Sequence, residues 1–211
     1  NPRKMGKIVI YGTSIQQGGC ASRTGMVPSA MIQRDFNLEC VNLATSGQAR
    51  MDFYIAQAMA SIDDAICYVI DPVPNCTKDR CDTATYDFIK ILRTLRPEVP
   101  IIMVEGLMYP YTRHDSYLAE YLPQKNECFH NGYELHKKEN PKGLYYMTHD
   151  GQTGPEMEGT VDGVHLTDYG FRAYADLLEI KIKEALDKTK VKYGLKPAYN
   201  VVRKKTRAQR K

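Results

Sequence analysis

Five short runs of apolar, largely β-branched residues recur along the chain, at Lys7 to Tyr11, Glu39 to Leu43, Ala65 to Ile70, Ile101 to Glu105 and Leu144 to Met147. Each is close to continuous rather than alternating apolar with polar. A strand covered on one face alternates, whereas a strand covered on both does not. Between the runs lie helical stretches: Gly25 to Phe36, Met51 to Ser61, Thr83 to Leu95, Ser116 to Lys138 and Asp168 to Leu186. In the last, Phe171, Tyr174, Ala175, Leu178, Ile182 and Ala185 recur every three or four residues, and Thr167 stands where an N-cap belongs. Arg96-Pro97 and Val99-Pro100 end a helix just ahead of a strand, because the residue before proline is pushed out of the helical region. Strands alternating with helices predict a parallel sheet with right-handed crossovers and helices on both faces, a three-layer α/β/α sandwich.

At 211 residues and 43% apolar composition the chain can bury one sizeable core and is too short for two ordinary domains. The expected division is one domain over residues 1–195 and a basic tail over 196–211. The net charge of +4 is misleading about the globule. Arg203, Lys204, Lys205, Arg207, Arg210 and Lys211 supply six cations with no acid nearby, which leaves the body at about −2. Nucleic acid is therefore not an expected partner, and the tail reads as a solvated, disordered end. No run of 18 uncharged apolar residues is present, so no membrane-spanning helix is expected. The start Asn1-Pro2-Arg3-Lys4 has no apolar signal-peptide core behind it, and a chain that begins without Met reads as a cut-out or processed form.

Cysteines at 20, 40, 67, 76, 81 and 128 do not make a dense disulfide framework. Cys40 and Cys67 fall inside strand runs and read as buried thiols. Cys76 and Cys81, close together in a predicted loop, leave a local disulfide open. A zinc site there lacks a second ligand pair at suitable spacing.

Ligands of a parallel sheet sit beyond the carboxyl ends of its strands. Ser14 follows the first run, Asn75 the third, and Asp162-Gly163-Val164-His165 the fifth, so all reach the same edge. A serine hydroxyl is a poor nucleophile until a base takes its proton, and that base needs a carboxylate to fix its tautomer. An Asp three residues before a His, with Gly between, can reach the ring Nδ1 and leave Nε2 for Ser14. None of His114, His130, His136 or His149 has an Asp three residues earlier; the adjacent Asp150 cannot easily turn back onto His149. Candidate donors to an oxyanion are the Ser14 N–H, the N–H of Gly47 after the second strand, and the side-chain amide of Asn75. Asp71, ending the third strand, is expected to cap the next turn. The long excursion from Gly106 to Lys142 carries Tyr109, Tyr111, Tyr117, Tyr121 and Tyr133 with Arg113 and His114, and connections of this length carry function or extra structure.

Alone, Gly12-Thr13-Ser14 also fits an ordinary turn or a phosphate-cradling loop of a flavodoxin-like binding protein. That reading leaves Asp162 and His165 without a task. A catalytically dead binding module is a third class, and nothing in an intact triad favours it.

Together these blocks resemble the SGNH or GDSL hydrolases over about Lys7 to Leu186. Gly12-Thr13-Ser14-Ile15 stands for the first block, Gly47 for the second, Asn75 for the third, and Asp162-Gly163-Val164-His165-Leu166-Thr167-Asp168-Tyr169-Gly170 for the last. The resemblance implies a flavodoxin-like five-stranded fold, Ser14 as nucleophile, His165 as base, Asp162 as its orienter, and Gly47 with Asn75 beside Ser14 in an oxyanion hole. It implies no metal and no cofactor. Thr13 replaces the usual Asp, and Asp71-Pro72-Val73-Pro74-Asn75 replaces Gly-x-Asn-Asp. Both departures are similar to a branch found as the catalytic module of secreted bacterial esterases, frequently behind a β-sandwich domain. The expectation that follows is a secreted or periplasmic esterase of a small acyl group, O-acetyl on a carbohydrate, with lipid esters as the alternative substrate.

Overall fold

The computed structural model describes residues 6–189 together with Val191 and Tyr193. The basic tail over 196–211 and the end of the expected domain lie outside them. The apolar runs form β1 (Lys7–Gly12), β2 (Glu39–Asn42), β3 (Ala65–Asp71), β4 (Ile101–Val104) and β5 (Leu144–Met147). They make one wholly parallel sheet in the order β2-β1-β3-β4-β5. Because the chain leaves β1 first to one side and then to the other, the topological switch point lies between β1 and β3, where α/β sheets open a crevice.

Side-chain alternation sorts the sheet into two cores. Ile8, Ile10, Cys67, Val69, Ile102, Val104, Tyr145 and Met147 face one side. They are covered by α2 (Pro28–Phe36) and α6 (Asp168–Asp187), the latter presenting Phe171, Tyr174, Leu178 and Ile182. Val9, Tyr11, Tyr68, Ile70, Ile101, Met103 and Leu144 face the other, under α3 (Phe53–Ala60), α4 (Lys78–Leu95) and α5 (Ser116–Glu139). β1, β3 and β4 are buried on both faces, as their unbroken apolar runs predict; β2, an edge strand, is only half covered.

Helix ends depart from the sequence reading for identifiable reasons. The helix expected from Gly25 is interrupted at Pro28, whose fixed φ suits the first helical position while Val27 before it stays extended; only a 3₁₀ turn, Thr24–Met26, precedes it. α4 starts five residues before Thr83, because Thr77 caps it by accepting from the Arg80 N–H at 3.1 Å. Thr167 caps α6 as expected, accepting from Gly170 N–H at 3.1 Å. The Gly106–Lys142 excursion holds a 3₁₀ turn, Pro110–His114, and all of α5. Among the described residues, no helix is long and apolar enough to cross a membrane.

Candidate active site

β1 delivers its last residues into a four-residue helix, α1 (Ser14–Gln17). Thr13 holds the extended N-cap conformation and its side chain accepts from the Ile15 N–H, so Ser14 is the first helical residue, half-buried at the sheet edge. Ser14 Oγ lies 2.9 Å from Nε2 of His165, across 151 positions of sequence. The other ring nitrogen, Nδ1, lies 2.7 Å from Asp162 Oδ2. Asp162 Oδ1 in turn accepts from the backbone N–H groups of Val164 at 2.9 Å and His165 at 2.7 Å. The His165 ring bond, followed by these two backbone bonds, holds the Asp162 carboxyl well below the usual carboxylate range.

This Asp–x–x–His turn closes because Gly163 sits at φ +88°, in the left-handed region, where a Cβ would also run into the Tyr111 ring at 2.4 Å. A bridge between Thr160 and Leu166 and the bond from Val161 N–H to His165 C=O (2.8 Å) stiffen the turn. Thr167 N–H bonds Gly159 C=O at 2.9 Å and fastens it to the start of α6. Asp168 accepts from both the N–H and the hydroxyl of Ser22, so the segment after α1 is tied to the His165 segment by more than the serine.

The other predicted donors lie on the same edge. Gly47 is exposed at φ +70° with open space where a Cβ would stand. Its loop is anchored by Ser46 N–H on Gln17 Oε1 (3.0 Å) and by Thr45 N–H on Gly12 C=O (2.9 Å). Asn75 ends a 3₁₀ turn, Val73–Asn75, and its Oδ1 accepts from Ala49 N–H at 3.3 Å, which joins the Gly47 and Asn75 loops and leaves the amide NH₂ to donate elsewhere. Among the described residues, the backbone N–H groups of Ser14 and Gly47 have no acceptor.

Asp71 does not cap the following turn. It is buried, and its Oδ2 accepts from Gln16 Nε2 at 2.9 Å and from the Tyr174 hydroxyl at 2.8 Å. Burial pushes its pKa up to about 7 against those two bonds. The three side chains fasten α1, which begins at Ser14, to β3 and α6. Cys76 and Cys81 are separate buried thiols, Cys76 Sγ donating to the Ala49 carbonyl at 3.5 Å, so the local disulfide is not formed. Cys67 is buried as expected and Cys40 half-buried.

A second acid–imidazole pair had no signal in the sequence. Glu105, just past β4, accepts at Oε2 from the His149 N–H at 2.9 Å and lies 2.7 Å from its ring Nδ1. Burial pushes Glu105 up, but the bonds from the His149 ring and backbone N–H prevail and leave it below its usual value; the bond to Glu105 raises His149.

A hydroxyl, an imidazole and a carboxylate in this sequence can pass a proton from oxygen to nitrogen while the carboxylate stabilises the resulting imidazolium. The sequence pattern of the GDSL-like lipase/acylhydrolase family matches residues 5–183. The chain belongs to this family. A protein described as a GDSL-like lipase from Bacteroides ovatus superposes with a TM-score of 0.84 at 34% identity, over 92% of this chain and 56% of that one. A family two carbohydrate esterase from Clostridium thermocellum, in complex with cellohexaose, gives 0.65 at 17% identity, over 89% and 66%. A lipase/acylhydrolase from Enterococcus faecalis gives 0.67 at 16%, over 91% and 99%. The chain thus spans little more than half the length of the Bacteroides protein. A comparison with curated proteins finds no match.

Proposed function

We propose that this GDSL-family chain hydrolyses esters of small acyl groups, O-acetyl groups on carbohydrate, through a covalent acyl-enzyme. The observation that carries the reading is the continuous hydrogen-bonded path from Ser14 Oγ through both nitrogens of His165 to Asp162. In this reading His165 Nε2 takes the Ser14 proton as Oγ bonds to the ester carbonyl carbon. The carbonyl oxygen becomes an anion, met by the N–H groups of Ser14 and Gly47 and the amide NH₂ of Asn75. Collapse breaks the bond to the leaving alcohol, which receives the proton from His165. Water then repeats the sequence: it loses a proton to Nε2, attacks the acyl carbon, and releases the carboxylic acid as Ser14 recovers its proton. Asp162 stays ionised throughout, in keeping with its depressed pKa.

A carbohydrate alcohol is supported by the half-buried Tyr111, stacked on Tyr109 at 5.5 Å between centroids and packed against the Gly163 turn, where an aromatic face can receive a sugar ring. The fold relative holding cellohexaose points the same way. Replacing Ser14 by Ala tests the proposal: hydrolysis of p-nitrophenyl acetate should vanish while Tm stays within a few degrees, and unchanged turnover would reject it. Acetylated xylan against long-chain p-nitrophenyl esters tests the substrate class. Preference for the long chains would turn the assignment to lipid esters.

A further inference from the structure

Cys20 lies outside the catalytic scheme yet beside it. It is exposed and occupies the left-handed region at φ +70°, a conformation that costs a non-glycine residue energy. The segment around it is fixed. Gly19 N–H bonds Ser14 C=O at 2.8 Å, Ala21 N–H bonds Gly18 C=O at 3.1 Å, and Ser22 is held by Asp168. Gly19 runs so close to the site that a Cβ there would stand 3.2 Å from His165 Cδ2 and 3.7 Å from Ser14 Cβ. The result is that one ligating atom from each of Cys20, Asp162 and His165 lies within 4.8 Å of the others.

Thiolate, imidazole and carboxylate are the three ligand types of zinc-class cations, bound at about 2.0 to 2.3 Å, so that donors around a tetrahedral ion stand about 3.5 Å apart. Cys20 and Asp162 are both exposed, so an ion can reach the cluster from solvent. We propose that Cys20, Asp162 and His165 form an inhibitory site for a thiophilic divalent cation such as Zn²⁺. Its inhibitory effect rests on His165 being the base. The metal binds the Cys20 thiolate, whose proton passes to solvent, and one nitrogen of the neutral ring. At Nε2 it occupies the lone pair that would take the serine proton. At Nδ1 it displaces the Asp162 hydrogen bond and forces the one ring proton onto Nε2. Either way Ser14 has no base, and the fourth position of the ion remains for water.

The test uses ZnCl₂ with the intact chain. Zn²⁺ should suppress p-nitrophenyl acetate turnover, and excess EDTA should restore it. Cys20→Ser should keep basal turnover and need at least about tenfold more Zn²⁺ for half-inhibition, since even indirect partners of a metal site change affinity by that much. Calorimetry separates this proposal from the catalytic one: Ser14→Ala retains all three ligands and should bind Zn²⁺, and adding Cys20→Ser should weaken that binding at least about tenfold. Equal zinc affinity with and without Cys20, or no binding to either, overturns the metal site. Zinc binding that depends on Cys20, together with turnover indifferent to Ser14→Ala, would uphold the metal site and reject the nucleophile.

Discussion

Asp162–His165 and Glu105–His149 are both carboxylate–imidazole pairs closed at 2.7 Å, and both follow strands at the same edge of the sheet. They differ in setting. The Asp162 side chain is 48% exposed, three residues from its partner, and the far nitrogen of His165 meets a serine. The Glu105 side chain is 11% exposed, 44 positions from its partner, and the far nitrogen of His149 faces Asp150 at 3.7 Å. The first pair is built by one tight turn and can spend its imidazole on a third group. The second joins two strand ends, with Gln152 Nε2 on the Glu105 carbonyl at 3.0 Å adding to the clamp. A perturbed His–acid pair at a strand end is therefore not by itself a catalytic signature; the group on the remaining nitrogen decides.

Substitutions should pull the two pairs apart. His165→Ala should lower kcat for p-nitrophenyl acetate on the order of 10⁴-fold or more, and adding it to Ser14→Ala should lose nothing further, because the residues act as a unit. His149→Ala should leave kcat essentially unchanged; a comparable loss there would erase the distinction. Next in size, Asn75→Ala should reduce kcat by about 100- to 1000-fold with a much smaller change in KM, the mark of a donor that matters in the transition state. Steady-state kinetics across ester chain lengths would check both.

The smallest effect is one of stability against pH. The ring bond raises His149, so its contribution is full below the unfolded histidine value of 6.5 and fades as pH rises through the folded one. Glu105 is depressed, so its contribution is full above 4.5 and fades as pH falls through its folded value. Thermal melts of wild type and His149→Ala should therefore differ most between those limits. For a partly exposed pair worth about 1 kcal/mol, the difference should be about 2 to 4 °C in Tm. A Tm difference that grows on the alkaline side would contradict the clamp.

Much of the sheet could be read from the sequence because a strand buried on both faces leaves an unbroken signature, as in Ile8 to Tyr11 and Ile101 to Val104. Helix starts were less legible where the first turn is polar, as at Lys78-Asp79-Arg80, so that only the Thr77 cap marks the boundary. The Asp162–His165 turn was legible because its geometry is local. Glu105 with His149 was not, since partners brought together by neighbouring strands leave no spacing rule. Asp71 misled for the same reason. An acid at a strand end ordinarily meets solvent, and only Gln16 from α1 and Tyr174 from α6, distant in sequence, enclose it.

The central claim is that Ser14 is the group His165 activates. A fluorophosphonate reacts only with a serine whose proton is being removed, so one equivalent with peptide mapping by mass spectrometry tests it directly. The adduct should fall on Ser14 of the wild type and be absent after the same exposure of His165→Ala. A wild-type chain that hydrolyses p-nitrophenyl acetate while its adduct maps to another residue, or that labels equally well without His165, would contradict it.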